Sequence, residues 1–438
     1  MGDDLRPAVR ELVDEGYTLL NYDISRLRAV YGGLEFTFEE FKELLLVLGI
    51  SIRKNVALRT TEITIAGADK TKYKDTDKAE TLAVLVRDLC KRMRVKKAPL
   101  TDIYNYISLA AKQNSYNPVI EMFEEDKPHN GNLTELCEIM GISNNPVYMD
   151  YLQRWMLQTI SLQYNCQREA PIAADFVLVL AGPQGIGKTA LLRKLAVKTE
   201  WFNEGVVIDM EDKDSRIKAT RKPFCEIGEL DSTTKKKQTS LKAFITQTVD
   251  IDRSPYGRTY EEYPRMTSFA ASVNEAEFLH DLTGSRRYLV IELSKMDKDR
   301  LFSLDDEFIK GCWRHAYAIY MNNPEKWRMG DDLIRLTINK NEQFRRKVDF
   351  EQEIDEALNW EQPKENWREL TLTDLKAELV DYRVIPANAD VKKMGRALRA
   401  MMKYRSGVEY RKSKAGRMYL LPSVRRSLNR HSYTGGIR

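Results

Sequence analysis

The stretch Gly182-Pro-Gln-Gly-Ile-Gly-Lys-Thr189 decides the fold of this 438-residue chain. Its glycines let the backbone curl so that successive N–H groups point inward at phosphate oxygens. The preceding Phe176-Val-Leu-Val-Leu180 has the β-branched, apolar composition of a buried parallel strand, and residues 189–195 have helical apolar spacing. Strand, glycine loop and helix in this order predict a nucleotide-binding P-loop within an α/β core.

The P-loop predicts ATP and Mg²⁺ as cofactors. Lys188 is expected to reach the β- and γ-phosphates, and Thr189 is expected to offer its hydroxyl to Mg²⁺. The helix that follows directs its positive end at the same anion. The residues expected to contact the nucleotide are Gly182, Pro183, Gln184, Gly185, Ile186, Gly187, Lys188, Thr189 and Ala190.

Composition indicates a soluble protein of about three domains, since 42% of residues are hydrophobic and 31% are charged. The five cysteines are scattered without close pairs, which excludes a zinc finger and favours a reducing compartment. The acidic start does not resemble a signal peptide, and no apolar run reaches membrane length. We therefore expect a cytoplasmic protein without a membrane partner.

The hydrophobic pattern divides the chain into three parts. Residues 1–150 carry the 3.6-residue apolar period and are expected to form a helical N-terminal region. Residues 151–360 are expected to form the ATPase core, because apolar strands alternate with charged helices there. The polar residues 361–366 are typical of a linker and open a C-terminal domain, 361–438.

The C-terminal domain is strongly basic. Residues 391–438 contain fourteen Lys and Arg against the single acidic residue Glu409, which suggests a polyanion partner or, alternatively, a solvated tail. Two helices followed by a basic hairpin favour a winged helix that binds duplex DNA over a generic capping subdomain. Its candidate DNA-binding residues are Lys392, Lys393, Arg396, Arg399, Lys412 and Lys414.

Carboxylates for catalysis are expected at the end of a strand beyond the P-loop. Glu226 and Glu229 stand in Pro223-Phe-Cys-Glu-Ile-Gly-Glu-Leu230, where a P-loop sheet presents its ligands. We favour Glu226 for the metal shell and Glu229 for the attacking water, although an ordinary strand terminus is the alternative. Asn274 follows another strand and is expected to bind the γ-phosphate or the water, unless it only forms a turn.

Two further segments carry arginine in informative places. Arg286 and Arg287 precede the apolar strand 288–293, where arginine can stabilise phosphoryl-transfer charge from a neighbouring subunit or form a surface ion pair. Residues 252–265 predict a hairpin with interleaved arginine and tyrosine, able to hold phosphates and stack on bases, or else a surface β-turn. Its candidate DNA-binding residues are Arg253, Tyr256, Arg258 and Tyr260.

The order of these motifs, together with Leu241-Lys-Ala-Phe244, resembles the virulence-associated protein E family over about residues 115–350. That family looks like a branch of the superfamily 3 helicases, which are AAA+ ATPases encoded by phages and mobile genetic islands. The resemblance implies an ATP-driven motor that encircles single-stranded DNA as a ring, expected to be a hexamer. Lys242 and the hairpin would face the DNA channel, and Arg286 or Arg287 would complete a neighbour's nucleotide site.

The match departs from the family pattern in two places. Glu226 and Glu229 are separated rather than adjacent, which leaves their roles open, and the N-terminal region lacks the clustered metal ligands of a primase. The C-terminal pattern resembles origin-binding modules of pathogenicity-island replication initiators. The sequence therefore predicts a replication initiator and helicase that binds its origin. The alternative is a DNA-binding regulatory ATPase that uses nucleotide as an assembly switch without strand separation.

Overall fold

The computed structural model of the chain describes residues 6–16, 18–67, 78–127, 131–228, 230, 235–253, 260–274, 278–279, 285–345, 347–402, 404–413 and 416–425. The chain forms two compact units. The first comprises Met1–Glu275 and Arg286–Thr337, and the second comprises Ala276–Ser285 and Ile338–Arg438. The predicted domain boundaries at 150 and 360 stay predictions.

The N-terminal part of the first unit is mainly helical. Its elements are α1 (Pro7–Asp14), α2 (Ile24–Tyr31), α3 (Phe38–Val47), β1 (Ile50–Asn55), β2 (Thr60–Ile65), α4 (Lys78–Met93), α5 (Leu100–Gln113), β3 (Ser115–Tyr116) and α6 (Pro118–Phe123). Apolar side chains from α1 to α5 and from β1 and β2 form one buried core.

The N-terminal part also contains a small sheet in the order β2-β1-β3, which the expectation of a helical region did not include. The β2 segment, Thr60-Thr-Glu-Ile-Thr-Ile65, is rich in β-branched residues, which favour strands. It pairs antiparallel with β1, so that Ile52 lies opposite Ile63. Strands of six residues show too few periods to stand out between longer helices.

The part of the sequence predicted to be the ATPase core carries the central sheet. Its elements are α7 (Leu133–Ile139), α8 (Pro146–Gln163), β4 (Val177–Ala181), α9 (Lys188–Leu195), β5 (Phe202–Val206), α10 (Lys213–Thr220), β6 (Phe224–Ile227), α11 (Lys235–Ile245), β7 (Val249–Arg253), β8 (Tyr260–Pro264), β9 (Ser268–Val273), β10 (Tyr288–Glu292), α12 (Lys298–Ser303), α13 (Asp306–Asn322) and α14 (Asp331–Asn341).

Five strands form a parallel sheet in the order β10-β4-β9-β6-β5, which confirms the predicted α/β core. All five residues of β4 are buried, as its apolar composition requires. The buried Gln158 of α8 supports the start of this strand: its Nε2 donates to Phe176 O at 2.9 Å, and its Oε1 accepts from Phe176 N at 3.1 Å. The P-loop therefore follows a strand whose start is fixed to α8.

Strands β7 and β8 form a separate two-stranded hairpin, and buried charged side chains anchor its base. Asp250 Oδ1 accepts from Arg265 Nε at 2.6 Å, and Asp250 Oδ2 accepts from Arg59 Nη2 at 2.7 Å. Arg265 is fully buried and also donates to Phe244 O. Because Arg59 comes from the turn between β1 and β2, the N-terminal part contributes directly to the anchor of the hairpin.

The second unit contains a small α/β arrangement. Its elements include α15 (Glu351–Ala357), β11 (Arg368–Thr371), α16 (Leu372–Asp381), α17 (Val391–Met401), β12 (Glu409–Ser413) and β13 (Gly416–Leu421), with antiparallel strands in the order β11-β13-β12. Residues 361–366, expected as a polar linker, instead include a 3-10 helix at Lys364–Asn366. Gln362 Oε1 there accepts from Ser423 N at 2.9 Å, so this segment is tied to the end of the unit.

Candidate nucleotide-binding site

The P-loop follows β4 and ends in α9, as the sequence predicts. Gly182 packs directly against the backbone of Leu293, so that a Cβ at position 182 would stand 2.2 Å from Leu293 O. Gly187 has φ of +107° and immediately precedes α9. A side chain would be strained at Gly187 and would clash at Gly182, so both positions require glycine.

The register of the central sheet brings the sequence-predicted residues to one edge. Ala181 of β4 pairs with Val273 of β9, so Gly182 and Asn274, the next residues, are neighbours beyond the strand ends. Gly182 N donates to Val273 O at 3.2 Å, which ties the loop to that strand. Because the strands are parallel, their carboxyl ends share this edge, where α/β proteins bind their ligands.

Lys188 is the cation of the site. Its side chain is only 6% exposed, and its Nζ donates to Gly182 O at 2.7 Å, Pro183 O at 2.8 Å and Asn274 Oδ1 at 2.8 Å. Burial lowers the pKa of the ammonium, while the carboxylate of Glu226 opposes that shift. Lys188 is thus held inside the loop by three neutral oxygens.

Glu226 supplies the carboxylate of the site and is 2% exposed. Its Oε1 accepts hydrogen bonds from Thr189 Oγ1 at 2.8 Å and from Ser272 Oγ at 2.7 Å. The carboxylate of Glu226 and the hydroxyl of Thr189 are hard oxygen ligands that suit Mg²⁺, and the Ser272 hydroxyl holds the carboxylate in place. Within the described residues, no group of three or more His, Cys, Asp or Glu side chains is arranged to hold a metal ion. This set therefore fits a Mg²⁺ ion that takes most of its ligands from nucleotide phosphates and water.

Ser272 is a site residue that the sequence analysis missed. It lies on β9, two residues before Asn274, and the two-residue period of a strand directs both side chains to the same face. That spacing is the signal that could have found it. Glu229, expected on the attacking water, lies outside the described residues.

Arg286 and Arg287 are not brought to this site. They precede β10, whose first residue, Tyr288, pairs with Val177 at the start of β4. The length of β4 separates them from the P-loop, about 16 Å at a rise of 3.3 Å per residue. Both contribute electrostatically at Asp175, whose carboxyl pKa is raised by burial, an effect that Arg328 and these two arginines oppose. They therefore lie at the opposite edge of the sheet from the candidate nucleotide site.

The predicted DNA-binding residues of the core fall into two groups. Lys242 of α11 is only 8% exposed, and this burial argues against direct contact between its ammonium and DNA. The hairpin expected over residues 252–265 is present as β7 and β8, with Arg253 opposite Tyr260. The side chains of Arg253 and Tyr260, and the whole of Tyr256 and Arg258, lie outside the described residues.

The predicted DNA-binding residues of the C-terminal part are mostly exposed. On α17, Met394, Ala397, Leu398 and Met401 are buried, whereas Lys392, Lys393, Arg396 and Arg399 are exposed. Lys393 Nζ lies 2.6 Å from Asp349 Oδ2, and this hydrogen bond raises the pKa of the Lys393 ammonium. Lys412 on β12 is also exposed, and Lys414 lies outside the described residues. The helix therefore buries an apolar face and presents a basic one.

Within the described residues, none of the helices combines the length and apolar character needed to cross a bilayer. No curated protein matches the chain. Among solved structures, an A-form apo structure of the NrS-1 C-terminal region is 14% identical, with a TM-score of 0.44, covering 87% of this chain and 98% of that one. Another apo structure of the same region is 13% identical, with the same TM-score and coverage. The family model for the virulence-associated protein E-like domain matches residues 126–346, about half of the chain. The chain therefore belongs to the virulence-associated protein E-like family.

Proposed function

We propose that the chain is an ATP-dependent DNA helicase and replication initiator of a phage or mobile genetic element. One observation carries this proposal: Lys188, Thr189, Glu226 and Asn274 meet at the carboxyl edge of a parallel sheet, around a glycine loop. These are the residue types that hold a nucleoside triphosphate and its metal ion. Membership in the virulence-associated protein E-like family supports the assignment to such an element.

In this proposal each side chain has a defined part in ATP hydrolysis. The ammonium of Lys188 would exchange neutral oxygens for phosphate oxygens, which are stronger acceptors because they are charged. Thr189 and Glu226 would hold Mg²⁺, which neutralises developing phosphate charge. Asn274, 2.8 Å from Lys188 Nζ, would orient the γ-phosphate or the attacking water. Glu229 is the proposed base for that water.

The sheet supports a core of the AAA+ type. Numbering only its five parallel strands along the chain, the spatial order is 5-1-4-3-2, with the P-loop strand flanked by the last and the fourth. The strand that carries Glu226 is thus separated from the P-loop strand by β9, which carries Ser272 and precedes Asn274. This is the order expected of an AAA+ ATPase.

The position of Arg286 and Arg287 supports self-association into a ring. Neither arginine lies near the nucleotide site of its own chain, because the length of β4 separates them from it. In a head-to-tail ring, the edge of one subunit that carries the arginines would face the nucleotide edge of its neighbour. An arginine supplied in this way would stabilise phosphoryl-transfer charge, and a hexamer is the proposed state.

The C-terminal arrangement supports duplex binding. Its element order, α15-β11-α16-α17-β12-β13 with strands in the order β11-β13-β12, agrees with the proposed winged helix. The exposed basic face of α17 stands where a recognition helix contacts the major groove. We propose that this part binds the replication origin, while the β7–β8 hairpin contacts the single strand.

A forked-duplex assay tests the proposal. The unmodified protein should separate the strands only with ATP and Mg²⁺, and Lys188→Ala should abolish both hydrolysis and strand separation. Arg193→Ala is the matched control, since Arg193 lies on the same helix but pairs with Glu204 on an exposed surface. ATP hydrolysis without strand separation would favour the regulatory ATPase instead. An active Lys188→Ala variant would overturn both.

A further inference from the structure

The end of α4 and the loop to α5 form a strongly basic surface in the N-terminal part. The sequence there is Lys91-Arg-Met-Arg-Val-Lys-Lys97, and its apolar Met93 is buried together with Leu89. Every cation in and near this run is exposed: Arg87, Lys91, Arg92, Arg94, Lys96 and Lys97. The nearest acidic residue in sequence is the single Asp88.

Four of these cations line a shallow groove of about 530 Å³, which we call the basic groove: Arg87, Lys91, Lys96 and Lys97. Pro99 and Leu100 line the same groove. Leu100 begins α5, a helix of fourteen residues whose N-cap residue, Pro99, makes no side-chain capping hydrogen bond. The first turn of α5 also carries Asp102, whose carboxylate offsets the positive end of that helix, so the positive potential of the groove comes from its side chains.

Stability of the fold does not explain the basic groove. Lys91 lies in the last turn of α4, where a cation interacts favourably with the helix dipole, but Lys96 and Lys97 lie beyond the helix. Arg87 and Lys91 are four residues apart on one helix face, where like charges repel. The arrangement is therefore unfavourable for the helix alone, and an anionic ligand would relieve the repulsion.

The basic groove differs from the rest of its surroundings in charge pairing. Among the described residues, none of its four cations forms an ion pair. Other cations of the same part do pair with carboxylates: the exposed Arg53 with Glu121 and Lys112 with Glu261, and the half-buried Arg26 with Glu15 and Lys42 with Glu39. The ion-pairing capacity of the groove is thus available to a partner.

We propose that the basic groove binds the sugar–phosphate backbone of DNA, as a contact additional to the hairpin and the C-terminal part. Phosphate is the recognised chemistry, because none of the described residues that line the groove has an aromatic ring on which a base could stack. Contacts of this kind position DNA without reading its sequence. The inference shares with the proposed function only the assumption that DNA is a partner.

Salt dependence of DNA binding by the full chain tests this site. A fluorescein-labelled duplex of unrelated sequence is titrated over a range of KCl concentrations, with binding followed by fluorescence anisotropy. A plot of the logarithm of the association constant against log [KCl] has a negative slope. Lys96→Gln/Lys97→Gln should make that slope shallower by about 2, since each lost phosphate contact removes about 0.9. Lys96→Arg/Lys97→Arg keeps the charge and should retain the slope.

Lys326→Gln/Arg335→Gln is the matched control, because it removes two exposed charges of the same unit elsewhere. An unchanged slope in Lys96→Gln/Lys97→Gln, or an equal loss in the control, would overturn the proposal. Arg396→Gln/Arg399→Gln separates it from the proposed function. If only that variant loses affinity, the basic groove is refuted and C-terminal DNA binding stands. If only Lys96→Gln/Lys97→Gln loses affinity, C-terminal DNA binding is refuted and the basic groove stands. A full chain that binds no DNA refutes both.

Discussion

Lys188 Nζ lies 2.8 Å from Asn274 Oδ1, so the P-loop cation and the residue after β9 form a direct hydrogen bond. These residues are distant in sequence, and the pairing of Ala181 with Val273 places them side by side. The amide of Asn274 therefore lies beside the Lys188 ammonium, next to the place that the γ-phosphate of a nucleotide would take in the proposed site.

Replacing Asn274 with alanine should lower the kcat of ATP hydrolysis about 100-fold, the usual cost of removing one preorganised polar group from a site of charge development. Because Lys188 and the loop amides remain, the KM for ATP should change less than about fivefold. Steady-state ATPase kinetics measure both values. A normal kcat in Asn274→Ala would remove Asn274 from the catalytic machinery.

Ser272 donates to Glu226 at 2.7 Å and should position that carboxylate for Mg²⁺. Ser272→Ala should raise the Mg²⁺ concentration for half-maximal ATPase activity about 10-fold or more, as loss of a residue that orients a metal ligand does. Ser268→Ala, on the same strand, removes a hydrogen bond to Thr159 and is the control. Equal Mg²⁺ dependence in both variants would contradict this role of Ser272.

Mixing two inactive variants tests whether the arginine acts between subunits. Arg286→Ala retains its P-loop and Glu226, whereas Glu226→Gln retains its arginines. In a ring of randomly mixed subunits, about one quarter (0.5 × 0.5) of the interfaces would be intact, and ATPase activity should recover in proportion. The same mixture with Arg287→Ala identifies which arginine acts. Failure of both mixtures to recover activity would exclude a shared site.

The second unit should lose stability in acid through Glu351. Burial alone would raise the pKa of this carboxyl, but hydrogen bonds from Arg345, the Val348 N–H and Tyr404 outweigh burial and hold the pKa below its ordinary 4.5. A depressed pKa stabilises the folded state above about pH 4.5, and this stability is lost as the pH falls through the folded-state pKa.

At about pH 7, Glu351→Gln should cost about 1.5–3 kcal/mol, because half-buried Arg345 loses one of its two carboxylate partners and keeps only Glu342. The difference in Tm between the unmodified protein and this variant should narrow as the pH falls below about 4.5. Calorimetry of the full chain and of the variant at several pH values measures this difference in Tm. A difference that stays constant with pH would show that Glu351 does not titrate in this range.

Local patterns in the sequence were enough for the elements that carry the site. The apolar run before Gly182 and the glycines of the loop predict strand, loop and helix, because backbone conformation and burial period are local properties. The C-terminal helices and hairpin follow from the same kind of signal. The sheet of β1, β2 and β3 was missed, since short strands between longer helices give a weak period.

The sequence by itself determined the P-loop, the parallel α/β core around it and the polar candidates at the strand ends. Only the tertiary structure decided which of those candidates meet. It joined Ser272 to Glu226, buried Lys242 and set Arg286 and Arg287 at the far edge of the sheet. The physical reason is that strand order and register bring residues together across long stretches of chain, and no local pattern encodes that pairing.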